Sequence, residues 1–242
     1  MIDHLTLRVP GMESATAPLG AALEALDIAA TVTSPGLVLW GNFGVSSARP
    51  DRPPSERVHV AFVAPTPEHV DRFARAGRAA GLADNGAPGP RPGYSEDYYA
   101  AFLLDDAGNN FEAVHRAGPR PSGTIDHVAI RVADAPVATA FYELIGDAAG
   151  LTVRRRGEGR TTFAIDAGGA FSVIAGEPSA HLHLAFGGNE PAVRSFHADA
   201  IAAGHRSNGD PGERPDVHAG YYAAFVLDPD GNNIEVVEHH RG

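Results

Sequence analysis

The sequence predicts an α+β protein made as a tandem repeat of paired βαβββ modules, and three observations carry that expectation. The chain matches itself at a spacing of 123 to 124 residues. Within each repeat, segments that alternate polar and apolar residues trade places with segments of helical period. The 28 glycines and 19 prolines of the 242 residues cluster between those segments. In the self-match, Ile2-Asp3-His4 and Arg8-Val9 return as Ile125-Asp126-His127 and Arg131-Val132. Tyr98-Tyr99-Ala100-Ala101-Phe102 returns letter for letter as 221–225, and Gly108-Asn109-Asn110-Phe111-Glu112 as Gly231-Asn232-Asn233-Ile234-Glu235. A period near 120 is too long for a solenoid unit, so two similar domains are expected, 1–117 and 123–242. The join falls between Arg116 and Gly123, where Gly118, Pro119, Pro121 and Gly123 interrupt regular structure.

Each element has a local reason. Ile2 to Val9 and Ile125 to Val132 alternate as half-buried strands, with Leu5, Leu7 and Val9 on one face and His4, Thr6 and Arg8 on the other. Asp134 is an N-cap, and Val137, Phe141, Leu144 and Ile145 recur at helical spacing up to Gly150. Thr161 to Asp166 and Phe171 to Ala175 carry the aromatic and branched residues of strands. Pro191 opens a second helix, with Val193, Phe196, Ala200 and Ile201 on one side and a stop at Gly204. Tyr221 to Leu227 and Asn233 to Val237 form the last strands, joined by the turn Asp228-Pro229-Asp230-Gly231.

Composition excludes several function classes. Without cysteine there are no disulfides, thiolate metal sites or Cys nucleophiles. No apolar run approaches the ~18 residues of a membrane span, and Met1-Ile2-Asp3-His4 lacks the plan of a signal peptide, so a soluble cytoplasmic protein is expected. A formal charge of −11 repels phosphate backbones and anionic lipid, so neither nucleic acid nor membrane is an expected partner. A small-molecule substrate is. A tandem chain can act as its own pseudo-dimer, which leaves monomer and homodimer both open.

Strand alternation also places His4, His59 and Glu112, and in the second repeat His127, His183 and Glu235, opposite the apolar faces of their strands. A glutamate turned into a sheet's concave side costs several kcal/mol unless a cation or donors neutralise it. Two imidazoles and a carboxylate suit a borderline divalent metal, Fe2+, Mn2+ or Zn2+, and leave coordination positions for substrate or water. A structural role for any single strand histidine is the competing reading.

Ile-Asp-His opening each repeat, the central histidine strand, and the ending Tyr-Tyr-Ala-Ala-Phe-Val-Leu-Asp-Pro-Asp-Gly-Asn-Asn-Ile-Glu together resemble the vicinal oxygen chelate superfamily, which includes glyoxalase I, bleomycin and fosfomycin resistance proteins and extradiol dioxygenases. The resemblance implies paired βαβββ modules curled into cup-shaped, partly open β-barrels. It places metal ligands at His4, His59, Glu112, His127, His183 and Glu235. Glyoxalase I enzymes add a further carboxylate where this chain has Leu37 to Trp40 and Phe171 to Ile174, none of them acidic. Extradiol dioxygenases carry a histidine that His218 matches, and a tyrosine where Phe225 stands. Modules in the family pair either within a repeat or between repeats, so His4 joins either its own repeat's ligands or His183 and Glu235.

The expected activity is that of a metal-dependent enzyme, ring-cleaving dioxygenase-like, lyase or isomerase, acting on a small oxygenated or aromatic molecule held through vicinal oxygens. His218, Tyr221 and Tyr222 are the candidate acid and base residues. Ser95 stands at the offset of His218 in the first repeat, which favours the Glu235 site if only one turns over. The competing expectation is a resistance protein that sequesters an antibiotic or metabolite in the cup; a third is a protein whose metal only braces the fold.

Overall fold

The structure is a computed structural model that describes residues 1–165 and 168–240; Asp166, at the end of one expected strand, lies outside them. The chain runs β1 (Ile2–Val9), α1 (Met12–Glu24), β2 (Val32–Ser34), β3 (Leu37–Trp40) and β4 (Phe43–Ser47). It continues through β5 (Val58–Val63), α2 (Pro67–Ala79), β6 (Ala83–Pro90), β7 (Tyr99–Leu104) and β8 (Asn110–His115). The second repeat gives β9 (Ile125–Val132), α3 (Ala135–Leu144), α4 (Gly146–Ala149), β10 (Leu151–Gly157), β11 (Arg160–Ile165) and β12 (Gly169–Ala175). It ends with β13 (His183–Gly187), α5 (Glu190–Ala202), β14 (Ser207–Glu213), β15 (Tyr221–Leu227) and β16 (Asn233–His239). This is βαβββ four times over, as the pattern predicts.

The helices differ in detail from expectation. Asp134 does cap α3, its side chain accepting from the Val137 amide at 3.0 Å, but the helix stops at Leu144 and a separate turn, α4, ends at Gly150 with φ +66°. Its buried side is Ala135, Ala138, Phe141 and Tyr142, so Val137 and Leu144 face solvent. Asn189 caps α5, whose buried residues are Val193, Phe196 and Ala200, with Ile201 exposed. The segments 83–90 and 207–213 offer no strand signal, being Gly-, Asn- and Pro-rich. They form outer edge strands, each with two register shifts against its partner, where a broken ladder costs least.

The strands make two open, mixed eight-stranded sheets. One has the order β14-β15-β16-β13-β1-β4-β3-β2, the other β10-β11-β12-β9-β5-β8-β7-β6. Each sheet therefore takes four strands from each repeat: β1 pairs antiparallel with β13, and β5 with β9. Of the two module pairings the sequence leaves open, the chain uses exchange between repeats. The apolar strand faces share one core with the helices. Phe43 of the first sheet meets Phe62 and Phe111 of the second at 5.0 and 6.3 Å, and Phe186 meets Phe171 at 5.9 Å.

The repeated Gly-Asn-Asn turn ties this frame together. Asp105 Oδ1 accepts from the amides of Ala107 and Asn109, and Asp228 Oδ1 from those of Asp230 and Asn232. Gly108 and Gly231 sit at φ +74° and +88°, where a side chain would be strained. The buried Asn109 then accepts from the Val58 amide and donates to the Ser55 carbonyl, both at 3.0 Å, fixing the start of β5. Asn109→Ala strands two buried backbone groups, and we expect it to cost about 2–4 kcal/mol of stability, read as a lowered urea midpoint at unchanged slope.

Candidate metal centres

Three adjacent strands build each triad. On β9, β5 and β8, His127, Ala61 and Glu112 lie in one row across the sheet, and His59 is one row over, opposite Ala129 and Asn110. The methyl of Ala61 leaves room for the imidazole and the carboxylate to lean toward each other from strands two apart, about 10 Å at the backbone. The second site repeats this with His4, Ala185 and Glu235 in a row and His183 opposite Thr6 and Asn233. Behind each triad is a matched apolar floor: Ala61, Tyr98, Ala100, Phe102 and Val114 in one, Ala185, Tyr221, Ala223, Phe225 and Val237 in the other.

The donor atoms converge. In the first site His59 Nε2 and His127 Nε2 are 3.2 Å apart and lie 3.0 and 3.4 Å from Glu112 Oε2. In the second, His4 Nε2 and His183 Nε2 are 3.0 Å apart, at 3.5 and 2.9 Å from Glu235 Oε2. Ligands 2.0–2.2 Å from a common ion are spaced by about 2.8–3.6 Å in octahedral or tetrahedral geometry, so both tripods have the size of a divalent-metal site. Glu235 Oε2 is buried and no donor is aimed at it in hydrogen-bond geometry, although His183 Nε2 stands 2.9 Å away. The sequence-expected triads are thus brought together, His4 with His183 and Glu235, His127 with His59 and Glu112.

A surrounding layer holds these groups in place. Tyr98 donates to Glu112 Oε1 and Tyr221 to Glu235 Oε1, both at 2.6 Å, which turns each remaining oxygen toward the imidazoles. Asp126 and Asp3 pair with Nδ1 of His127 and His4 at 3.0 and 2.8 Å. A proton on Nδ1 leaves the Nε2 lone pair free for the centre. Asn110 and Asn233 sit at 3.0 and 2.6 Å from Nδ1 of His59 and His183. The Asn110 Oδ1 atom is buried without a partner, and a half-turn of its amide would seat that oxygen on His59 Nδ1–H.

Burial works to raise the Glu112 and Glu235 pKa values, yet the adjacent imidazoles outweigh it and hold both below the ordinary carboxylate range. Burial likewise works to lower His127, but Glu112 and Asp126 push it up to about 9. His4 also rises, through Asp3 and Glu235 against burial. His59 and His183 fall, burial dominating their glutamate contacts. In each triad one imidazole is therefore shifted toward its cationic form and the other toward its neutral form.

Of the candidate acid and base residues, only Tyr221 touches a triad, and its hydroxyl is committed to Glu235. Burial and that carboxylate both raise its pKa. Tyr222 lies on the opposite face of β15, beneath the Arg194 guanidinium of α5 at 5.1 Å, because neighbours in a strand alternate. His218 is solvent-exposed and reaches the second triad only through His239 and Asp3: His218 Nε2 to His239 Nδ1 is 3.0 Å and His239 Nε2 to Asp3 Oδ2 is 3.0 Å. His181 has φ +59° and is exposed, outside the strand that carries His183. Asp3, Asp126, Asn110 and Asn233 went unassigned in the sequence although each stands next to a ligand or two residues from one inside a repeated motif.

The two sites differ in their surroundings. A cavity of about 760 Å3 opens on the His59–Glu112–His127 tripod, while the smaller cavities of about 20 and 80 Å3 touch neither triad. The site that the sequence asymmetry favours, that of Glu235, is therefore not the one the large cavity serves. Its partner Asp3 pairs with His239, whereas Asp126 is clamped by Arg116 and Arg120 at 3.0 and 2.8 Å.

Metal-free protein should show a specific pH response. His127, raised from 6.5 to about 9, contributes stability that is fully present below 6.5 and lost as pH climbs through about 9. The melting temperature of chelator-treated protein is expected to fall over that interval, and Asp126→Asn to flatten the fall.

No family model and no curated protein matches the chain. Solved structures do. Glyoxalase I from Zea mays superposes with a TM-score of 0.68 at 19% identity, over 98% of this chain and 92% of that one. A candidate dioxygenase from Bacillus subtilis subsp. subtilis str. 168 superposes at 0.64 and 14% identity, over 100% of this chain and 86% of that one. No helix among the described residues is long and apolar enough to cross a membrane. With four βαβββ modules matched along its whole length, the chain shares the fold of these two solved structures.

Proposed function

We propose that the chain is a metal-dependent enzyme whose substrate, a small oxygenated or aromatic molecule, binds in the Glu112 cup and meets the ion through two adjacent oxygens. The observation that carries this reading is the coincidence of a tripod sized for a divalent ion with the floor of a cavity of about 760 Å3. His59, Glu112 and His127 would hold the ion, and His4, His183 and Glu235 a second one. Fe2+, Mn2+ and Zn2+ all suit two imidazoles and a carboxylate. A bound ion supplies Lewis acidity, stabilising negative charge that develops on substrate oxygens.

The protein's own groups have separable tasks in this scheme. Tyr98 fixes the Glu112 carboxylate, Asp126 and Asn110 set the proton positions of the two imidazoles, and Arg116 with Arg120 anchors Asp126. At the second site, Asp3, His239 and His218 form a hydrogen-bonded chain from His4 Nδ1 to solvent, a path for a proton to reach or leave that centre. The Glu112 cup has Ser95 in place of His218, bonded to Asp97 at 2.6 Å, so His218 serves the second site alone.

Elemental analysis of protein purified without chelator tests the reading. Up to two divalent ions per chain are expected, one lost in the triple Ala variant of His59, Glu112 and His127 and the other in that of His4, His183 and Glu235. A content near zero that Fe, Mn, Zn and Ni all fail to restore would sink it. Tyr98→Phe, which frees Glu112 Oε1 without touching the donor set, should weaken metal binding roughly 10- to 100-fold by calorimetry.

A further inference from the structure

We infer that the Glu112 cup selects an anionic ligand, one whose carboxylate or phosphate group is gripped by Arg131, Arg160 and Arg154 while its other end reaches the tripod; this rests on the substrate cup proposed above and names the class of its occupant. The sheet register places the arginines. Arg160 of β11, Ile174 of β12 and Arg131 of β9 lie in one row, and His127 shares the Arg131 face of β9 four residues away, about 13 Å at the backbone. The bulge between Val153 and Arg155 puts Arg154 on the cavity as well. Between the arginine row and the tripod, the cup face holds Thr162, Ser172, Ala129 and Ala170, short side chains that leave the space open.

Charge accounting separates these arginines from the cavity's other ionised groups. Glu112 is committed to the imidazoles, Asp126 to Arg116 and Arg120, and Asp97 to Ser95 and the Ala117 amide. Arg57 pairs with Glu56 and Glu177. Among the described residues, no carboxylate lies within ion-pair distance of Arg131, Arg154 or Arg160; Arg160 reaches only Ser172 Oγ, at 3.3 Å. Three uncompensated guanidiniums lining one concave wall of a protein of net charge −11 create a local field opposite to that of the whole molecule. A guanidinium fork fits carboxylate and phosphate oxygens bidentately.

The second cup shows that the fold does not require this wall. The same register there puts Leu37 and Leu39 of β3 where β11 has Arg160 and Thr162, with Ser46 and Gly44 in place of Ile174 and Ser172. Only Arg8, the counterpart of Arg131, is retained.

The test separates the arginines from the metal. Glutarate and inorganic pyrophosphate are titrated calorimetrically into metal-free protein, and 2-oxoglutarate and 2-oxovalerate into Mn2+-loaded protein. Wild type should bind at least one of the first two, and should favour 2-oxoglutarate over 2-oxovalerate by at least about 10-fold. Arg131→Ala/Arg160→Ala should weaken the anion and erase the preference. Mn2+ and 2-oxovalerate affinities should be unchanged, which also reports an intact fold; Arg131→Lys/Arg160→Lys should keep most of the binding. Should the double Ala variant not fold, Arg160→Gln alone must weaken the anion. The glutarate-to-pyrophosphate ratio tells carboxylate from phosphate. Failure of both anions to bind, binding indifferent to the substitutions, or equal affinity for the two oxo acids would overturn the inference. Failure to bind Mn2+ with anion binding intact would overturn the metal reading alone.

Discussion

A carboxylate buried among strands and faced by two imidazoles is the constraint on which both halves of the molecule depend. Glu112 and Glu235 are almost wholly removed from solvent, and neither can stay ionised there without positive charge beside it. The imidazoles meet that demand, and side chains outside the donor set hold the groups in place: a tyrosine on the outer oxygen, an aspartate on one imidazole, an asparagine on the other. All of these but Tyr98, which immediately precedes β7, come from strands fixed by the ladder, so the tripod is assembled when the sheet is. That rigidity matters for chemistry, because a donor set held near its bound spacing spends little binding energy on ordering itself.

Exchange of modules changes what the duplication means. Since each triad draws side chains from both repeats, neither repeat alone could assemble either one. The paired aromatic contacts across the shared core, Phe43 with Phe62 and Phe171 with Phe186, give the two sheets a common hydrophobic interior, so their stabilities are coupled. A perturbation at one triad is accordingly expressed in the frame that carries the other.

Much of this was legible in the sequence, and the boundary of legibility is physical. Period-two alternation gave the ligand faces of β1, β5, β8, β9, β13 and β16, because a strand's alternation is a local property of the backbone. The repeat gave the module count for the same reason. Pairing between modules was not readable, since either partner presents the same apolar face and the choice is made by loop reach and packing. The edge strands 83–90 and 207–213 carry no strand signal because they are held by partners rather than by propensity. Tyr222 was separable from Tyr221 only once the register was known. The asparagine and aspartate that orient the histidines were in plain view, inside Ile-Asp-His and Gly-Asn-Asn, but a second layer carries no pattern of its own.

The comparison of the two cups shows where specificity is stored. Their floors match residue for residue, Ala61 with Ala185, Tyr98 with Tyr221, Phe102 with Phe225, Val114 with Val237. Their walls do not. Strands β10 and β11 bring arginines and threonines to one cup, where β3, only four residues long, brings leucines to the other. The floor is bound by the geometry of the donor set, in which a shift of one strand position turns every side chain to the wrong face. The wall has no such restriction, because a side chain there answers only to the molecule in the cup. Two matched triads can therefore open on differently lined cups within one chain, and the length and charge of the outer strands set that difference.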